Sequence, residues 1–233
     1  MDLTRRGSLI VIEGIDGAGK TTQYEKLLST LGGSGIRCMG TSFPNYESVS
    51  GALVKEYLGG AFGNDPDSVN AYAASSFFAV DRYASFMSEE WGREWRNGGI
   101  VVSARYTTSN AVHQGAKLRP EQRREFFAWL EDYEYEKLRL PRPDMVFFLE
   151  LPAEIAISHI LSREASTGVP RDIHEKNSGY IRACAEAAED AADFFGWQRI
   201  RVSENGKMLP PETIAQTLAG QAMDLTFVKE SRY

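Results

Sequence analysis

Cysteine is scarce. Cys38 and Cys184 are the only two in 233 residues, and one widely separated pair offers neither a metal-ligand spacing nor a disulfide framework. Both fall in segments that read as strand or helix, where a buried thiol is the expected state. Long apolar runs are also missing. Nothing approaches the roughly 20 consecutive apolar residues that a membrane span needs. Arg5 and Arg6 precede an apolar run, but Leu9–Ile12 is too short for a secretion signal and leads straight into a glycine-rich loop. The expected location is the cytoplasm, with no membrane partner. Basic charge is not in excess either: 26 Lys and Arg stand against 32 Asp and Glu, for a net charge of −6. That balance argues against a surface built for a nucleic-acid polymer. It leaves room for a small phosphate site, which needs only backbone N–H groups and a few cations. Internal repeats and low-complexity tracts are absent.

What is present suits one α/β domain spanning 1–233: 42% of residues are apolar and 25% charged, an ordinary globular balance. Short apolar runs at Ser8–Glu13, Ile36–Phe43, Ile100–Ser103, Met145–Glu150 and Arg199–Val202 read as strands. Between them lie stretches of helical period, such as Tyr24–Leu31, Tyr72–Trp91 and Glu121–Leu138. Such alternation predicts a parallel sheet with crossover helices on both faces. The segment Ser162–Ser178 is polar and interrupted by Gly168 and Pro170. It lacks the apolar positions to anchor a long helix and reads as a mobile loop or short lid at about 162–178. After Leu209 a final helix with a charged tail is expected.

The strongest signal is Gly14-Ile15-Asp16-Gly17-Ala18-Gly19-Lys20-Thr21, which fits G-x-x-x-x-G-K-[ST]. Its context is the one phosphate binding requires, with a strand entering and a helical stretch leaving. Glycines let the backbone bend around an anion. The N–H groups of Gly17, Ala18, Gly19, Lys20, Thr21 and Thr22 then converge on phosphate at the positive end of a helix. Lys20 is expected to reach the β- and γ-phosphates of ATP, and the Thr21 hydroxyl to hold Mg²⁺.

Phosphoryl transfer also needs cations on the acceptor. Two arginine clusters supply candidates: Phe77–Tyr83 (FFAVDRY) and Ala104–Asn110 (ARYTTSN). The second follows the third strand, where ligands of open α/β sheets bind. Phe78 and Arg82 stand four apart and share a helix face. Together they suit a flat base, one by stacking and one by hydrogen bonds. A core Phe78 with Arg82 in a surface ion pair accounts for the same pattern. There is no Asn-Lys-x-Asp guanine motif.

In combination these pieces resemble the thymidylate kinase family of P-loop nucleoside monophosphate kinases. The resemblance is carried by EGIDGAGKTTQ at 13–23, SFPNYES at 42–48, FFAVDRYAS at 77–85, ARYTTSNAVHQGAK at 104–117, LPRPDMVFFLELP at 140–152 and PRDIHEK at 170–176. It implies a three-layer P-loop NTPase fold with a five-stranded sheet ordered 2-3-1-4-5. The implied reaction is Mg²⁺-dependent transfer of the ATP γ-phosphate to dTMP, giving dTDP and ADP. Lys20, Asp16, Arg105 and Arg171 would form the catalytic set. Ala18 stands where some members place a loop arginine, so the lid would supply that cation, from Arg163 or Arg171. The dTMP contacts would come from Asp16, Phe43, Tyr46, Phe78, Arg82, Arg105, Asn110 and His113. Thr21, Asp16 and Glu175 would serve the metal. Members are commonly homodimers, and Tyr72–Trp91 could provide the interface.

Two positions depart from the family pattern. Ala104 replaces the usual Asp before Arg105, and Asp16, Asp81 or Glu175 are possible substitutes for the missing carboxylate. His113 replaces a residue that is often Tyr. These departures keep open a kinase for another pyrimidine nucleotide or nucleoside, or a weakened nucleotide-binding homologue.

Overall fold

The computed structural model describes residues 6–168 and 171–230, with side chains as far as Leu225. Its centre is β1 (Ser8–Glu13), six residues all buried. A strand buried on both faces needs neighbours on both sides and helices above and below. β1 pairs in parallel with β3 (Ile100–Ala104) on one side and β4 (Met145–Glu150) on the other. β2 (Cys38–Ser42) flanks β3, and β5 (Gln198–Arg201) flanks β4, giving the order β2-β3-β1-β4-β5. This is the expected sheet. A small antiparallel hairpin, β6 (Ser203–Glu204) with β7 (Lys207–Met208), follows β5.

The helices are α1 (Lys20–Gly33), α2 (Ala52–Leu58), α3 (Ala71–Ser88), α4 (Glu90–Arg96), α5 (Thr108–His113), α6 (Pro120–Leu130), α7 (Ala153–Thr167), α8 (Ser178–Phe195) and α9 (Pro211–Glu230). The main core lies between β1, β3, β4 and these helices, and includes Leu9, Ile10, Val101, Phe147 and Leu149. A smaller one joins Val54, Tyr57, Leu58, Ala74 and Ile173.

Several boundaries differ from the expected ones. The second strand starts at Cys38, because the Ile36 N–H is taken by the Leu31 carbonyl at the end of α1. The third gains Ala104, and the fifth sits one residue earlier. Tyr72–Trp91 is two helices rather than one: Glu89 is extended (φ −92°, ψ 167°) and starts α4. The apolar spacing runs through this corner because α4 folds back onto α3. Trp91 packs on Phe86, and its ring N–H donates to Ser85 Oγ at 2.8 Å. Glu121–Leu138 likewise changes character, since α6 ends at Leu130 and Glu131–Lys137 form a wider π-helix.

The segment 162–178 is more ordered than its polarity implies. α7 continues to Thr167, and Gly168 stops it in the left-handed conformation (φ 68°). Ile173 then anchors the chain in the smaller core. Val169 and Pro170 lie outside the described residues. Of the two thiols, Cys184 is buried and Cys38 only half-buried.

Close packing at the α3–α4 corner generates a stability prediction. A Cβ on Gly92 would lie 1.9 Å from the Phe86 carbonyl oxygen, which is rigid backbone. Gly92→Ala therefore destabilises the fold by about 1–3 kcal/mol. A Cβ on Gly32, in the last turn of α1, meets nothing within 4 Å. Gly32→Ala stabilises by roughly 0.5–1 kcal/mol. Urea denaturation of the two variants reads opposite signs.

Candidate active site

The parallel pairing of β1 and β3 sets Ile12 opposite Ala104, so both strands end at the same edge. The Arg105 N–H extends the ladder by donating to the Ile12 carbonyl at 3.1 Å. The loop after β1 and the loop after β3 thus emerge side by side.

The first loop has the conformation its glycines permit. Gly17 and Gly19 both sit at φ 85°, where a side chain is strained. A Cβ on Gly17 would also lie 2.7 Å from the Ala156 carbonyl. Gly19 caps α1, which has no side-chain cap and no acidic residue in its first turn. The leading N–H groups of Lys20, Thr21 and Thr22 therefore present an uncompensated positive end. Ala18 is buried, while the Thr21 and Thr22 side chains are exposed. Lys20 Nζ donates to the carbonyls of Gly14 (2.7 Å) and Ile15 (2.9 Å), and lies 3.6 Å from Asp16. Burial, and then the Arg105 charge, lower the Lys20 ammonium to about 8 against the pull of Asp16 and Glu13.

Arg105 is the hub of the second loop. Its backbone is left-handed (φ 65°), an uncommon state for a non-glycine residue and one that marks functional positions. Its Nη2 donates to Asp16, and its Nη1 contacts His113 Nε2 at 3.0 Å. Burial alone would raise the Asp16 carboxyl. The charges of Arg105 and Lys20 outweigh it and hold the group well below the ordinary value. Because arginine only donates, His113 Nε2 must be an acceptor. The ring proton is then on Nδ1, which faces Cys184 Sγ at 3.6 Å. Burial keeps this imidazole neutral.

A cleft of about 190 Å³ opens beside this pair, lined among others by Asp16, Phe43, Tyr46, Phe78, Arg82 and Arg105. Asn110, His113, Arg163, Asp172, His174 and Glu175 close its other sides. All the residues expected to hold the acceptor are gathered here. Arg82 is fully buried rather than in a surface ion pair. It forms a two-pronged bridge to Glu134 through Nε (2.8 Å) and Nη2 (2.5 Å). Asn110 Nδ2 donates to Glu134 (2.9 Å) and to the Ser75 carbonyl (3.1 Å). Asp81 holds the loop that carries Phe43 and Tyr46, accepting from Asn45 N–H (2.9 Å), Ser48 Oγ (3.0 Å) and Ser50 Oγ (2.9 Å).

Three expectations are corrected. Arg171 does not line the cleft and lies 2.7 Å from Glu164, whereas Arg163 does line it. Both oxygens of Glu175, expected to serve the metal, accept from Arg163 Nη2 here. Asp81 cannot stand in for the carboxylate missing at Ala104, since the 45–50 loop occupies it. Asp16 fills that place on Arg105. Glu13, which sequence reasoning missed, supports it from behind: fully buried, it accepts from Gly14 N–H (2.9 Å), Thr108 Oγ1 (2.6 Å) and Ser109 Oγ (2.6 Å). A carboxylate ending an otherwise apolar strand was its one signal. Among the described residues no three His, Cys, Asp or Glu side chains gather into a metal-holding group. The Thr21 hydroxyl is exposed at the head of α1.

The depressed Lys20 value gives a pH prediction. The folded value lies below the ordinary lysine value of 10.5, so the free protein prefers neutral Lys20 and gains stability as pH rises from about 8 to 10.5. An anion on the loop prefers the charged form. Affinity for pyrophosphate or ATP therefore falls as pH rises past about 8, approaching tenfold per unit. Calorimetric titration between pH 7 and 9.5 reads this, and Lys20→Met removes the slope.

Comparison with known proteins agrees with this geometry. The family profile described as thymidylate kinase matches residues 12–203. A thymidylate kinase of Mycobacterium tuberculosis is 34% identical over 214 residues, covering 91% of this chain and 97% of its own. The human thymidylate kinase is 32% identical over 149 residues, covering 63% of this chain and 62% of its own. One from Prochlorococcus marinus is 29% identical over 221 residues, covering 91% and 96%. With the loop, the paired arginine and the cleft in the places the resemblance implied, this chain belongs to the thymidylate kinase family.

Proposed function

We propose that the protein transfers the γ-phosphate of ATP to dTMP, giving ADP and dTDP. The observation that carries this reading is the Asp16–Arg105 pair, which sets the phosphate loop against a base-sized cleft with cations at its mouth. The donor phosphates lie along the N–H groups of Gly17 to Thr22, with Lys20 swinging from the loop carbonyls onto the anion. Thr21 would hold Mg²⁺, which would supply positive charge against the charge developing on the transferred phosphate. Arg105 leaves Asp16 in part to grip the acceptor phosphate. Arg163, from the end of α7, supplies the transition-state cation from the lid at about 162–178. Phe78 stacks on the base, and Phe43, Tyr46 and His113 close over sugar and phosphate. Little proton transfer is asked of the protein, so catalysis rests on positioning and charge. The named relatives favour this acceptor over another pyrimidine or nucleoside, despite Ala104.

Activity is tested by coupled ADP release with Mg·ATP against dTMP, dUMP, UMP, CMP, AMP and thymidine. The expected result is release that depends on dTMP, with dUMP a poorer acceptor. Arg105→Ala should lower kcat/KM by at least 100-fold, the effect of removing a charge-assisted contact to transferring phosphate. Tight ATP binding without release for any acceptor would overturn the reading.

A homodimer belongs to the same proposal. Val80, Tyr83 and Met87 stand at i, i+3 and i+7 on α3, each at least 41% exposed. That spacing lays an apolar stripe along one helix face. Sedimentation equilibrium should give twice the 26.0 kDa chain mass. Val80→Asp should shift it to the monomer.

A further inference from the structure

The inner wall of the cleft holds two side chains suited to reading a base edge, Arg82 from α3 and Asn110 from α5. Neither is free to choose its polarity. Glu134 stands behind both, wholly buried, on the π-helical stretch Glu131–Lys137. π-helical turns of this kind recur at functional sites. The Glu134 carboxylate accepts from Arg82 Nε and Nη2 and from Asn110 Nδ2. A second acceptor, the Ser75 carbonyl, takes another N–H of the same amide. Both amide hydrogens are thereby directed away from the base, because a carboxylate and a carbonyl can only accept. What Asn110 has left for a ligand is Oδ1, an acceptor. What Arg82 has left, with Nε and one hydrogen of Nη2 on Glu134, are the Nη1 hydrogens and the second Nη2 hydrogen, all donors.

We propose that Glu134 is the positioning residue that makes this cleft specific for 4-oxo pyrimidines and hostile to 4-amino pyrimidines. The inference rests on the reading of the cleft as a pyrimidine monophosphate site, and deepens it. A thymine or uracil offers a carbonyl at position 4 and an N–H at N3. These match the donor on Arg82 and the acceptor on Asn110. A cytosine reverses both, with an amine at position 4 and a bare N3. Donor would then meet donor and acceptor would meet acceptor. A single carboxylate that never touches substrate so aims the donors of Arg82 and helps set the polarity of Asn110. Replacing it by an amide, which can itself donate, removes the obligatory acceptor and leaves the Ser75 carbonyl alone to oppose Asn110 turning over to offer N–H to N3.

The matched acceptors are dTMP and 5-methyl-dCMP, which share shape and differ only at N3 and position 4. With Mg·ATP and the full chain, the wild type should prefer dTMP by roughly 10⁴ in kcat/KM, as for sites built around a substrate hydrogen bond. Glu134→Gln should cut that preference at least tenfold, chiefly through KM, and Glu134→Asp should retain most of it. A purely structural role would weaken both acceptors alike and leave the ratio standing. An unchanged ratio in Glu134→Gln overturns the inference while leaving the proposed function intact. If Glu134→Gln does not fold, Asn110→Ala decides, because it keeps the Arg82–Glu134 pair and removes the oriented acceptor. Its preference should also fall about tenfold, and an unchanged one overturns the inference. Wild-type turnover of neither pyrimidine overturns the proposed function, and this inference with it.

Discussion

The Asp16–Arg105 ion pair joins the two halves of the machinery. The residues are 89 apart in sequence, one in the loop that meets the donor and one in the loop that meets the acceptor. Their meeting depends on β1 and β3 being adjacent and parallel, with Ile12 opposite Ala104. A shift of one residue in that register would turn the strand faces over and part the loops. The pair is costly to bury and is held by further bonds on both sides, from Lys20, His113 and the Glu13 cluster. Such a site is poised rather than relaxed.

Much of this was legible in the sequence for a plain reason. A phosphate loop is local: its glycines, lysine and threonine are fixed by spacing, and the strand before it by six buried residues in a row. The sheet order needed the family resemblance, since periodicity marks strands without ordering them. The acceptor residues were legible as a set, because Phe78 and Arg82 share a helix face and Arg105 ends a strand. Their partners were not. Glu134 lies in EDYEYEK, a run that reads as a solvated charged face. Only the packing of α3 and α5 against the π-helical stretch reveals it as wholly buried. The break at Glu89 was hidden because Trp91 returns to the same apolar surface as Phe86. The choice between Arg163 and Arg171 turned on which end of a polar segment faces the cleft, and composition carries no such direction.

The absence of a carboxylate at Ala104 looks different once the neighbours are in place. Ala104 is nearly buried at the end of β3. Glu13 and Asp16 already bring two carboxylates to the end of β1, and Coulombic attraction from both raises Arg105 against the cost of burial. A third carboxylate would sit among like charges. The chain thus keeps the anchoring of its arginine by drawing on the neighbouring strand.

The lid segment is tied down by neutral contacts. His174 stacks on His113 with rings 5.6 Å apart and 10° from parallel, and its Nε2 lies 2.8 Å from the Tyr57 hydroxyl. Lys117 donates to that same hydroxyl, and burial leaves the imidazole uncharged. Burial lowers His174 to about 3 and His113 well below its ordinary value. Two facing imidazolium ions would drive the segment away from α5. Two facing neutral rings attract, and they stay neutral through the whole range in which a cell's pH moves. The contact between the two rings is therefore indifferent to acidity, and the titratable group of the segment is its carboxylate Asp172, which burial raises to about 6 while it accepts from the His174 and Glu175 N–H groups.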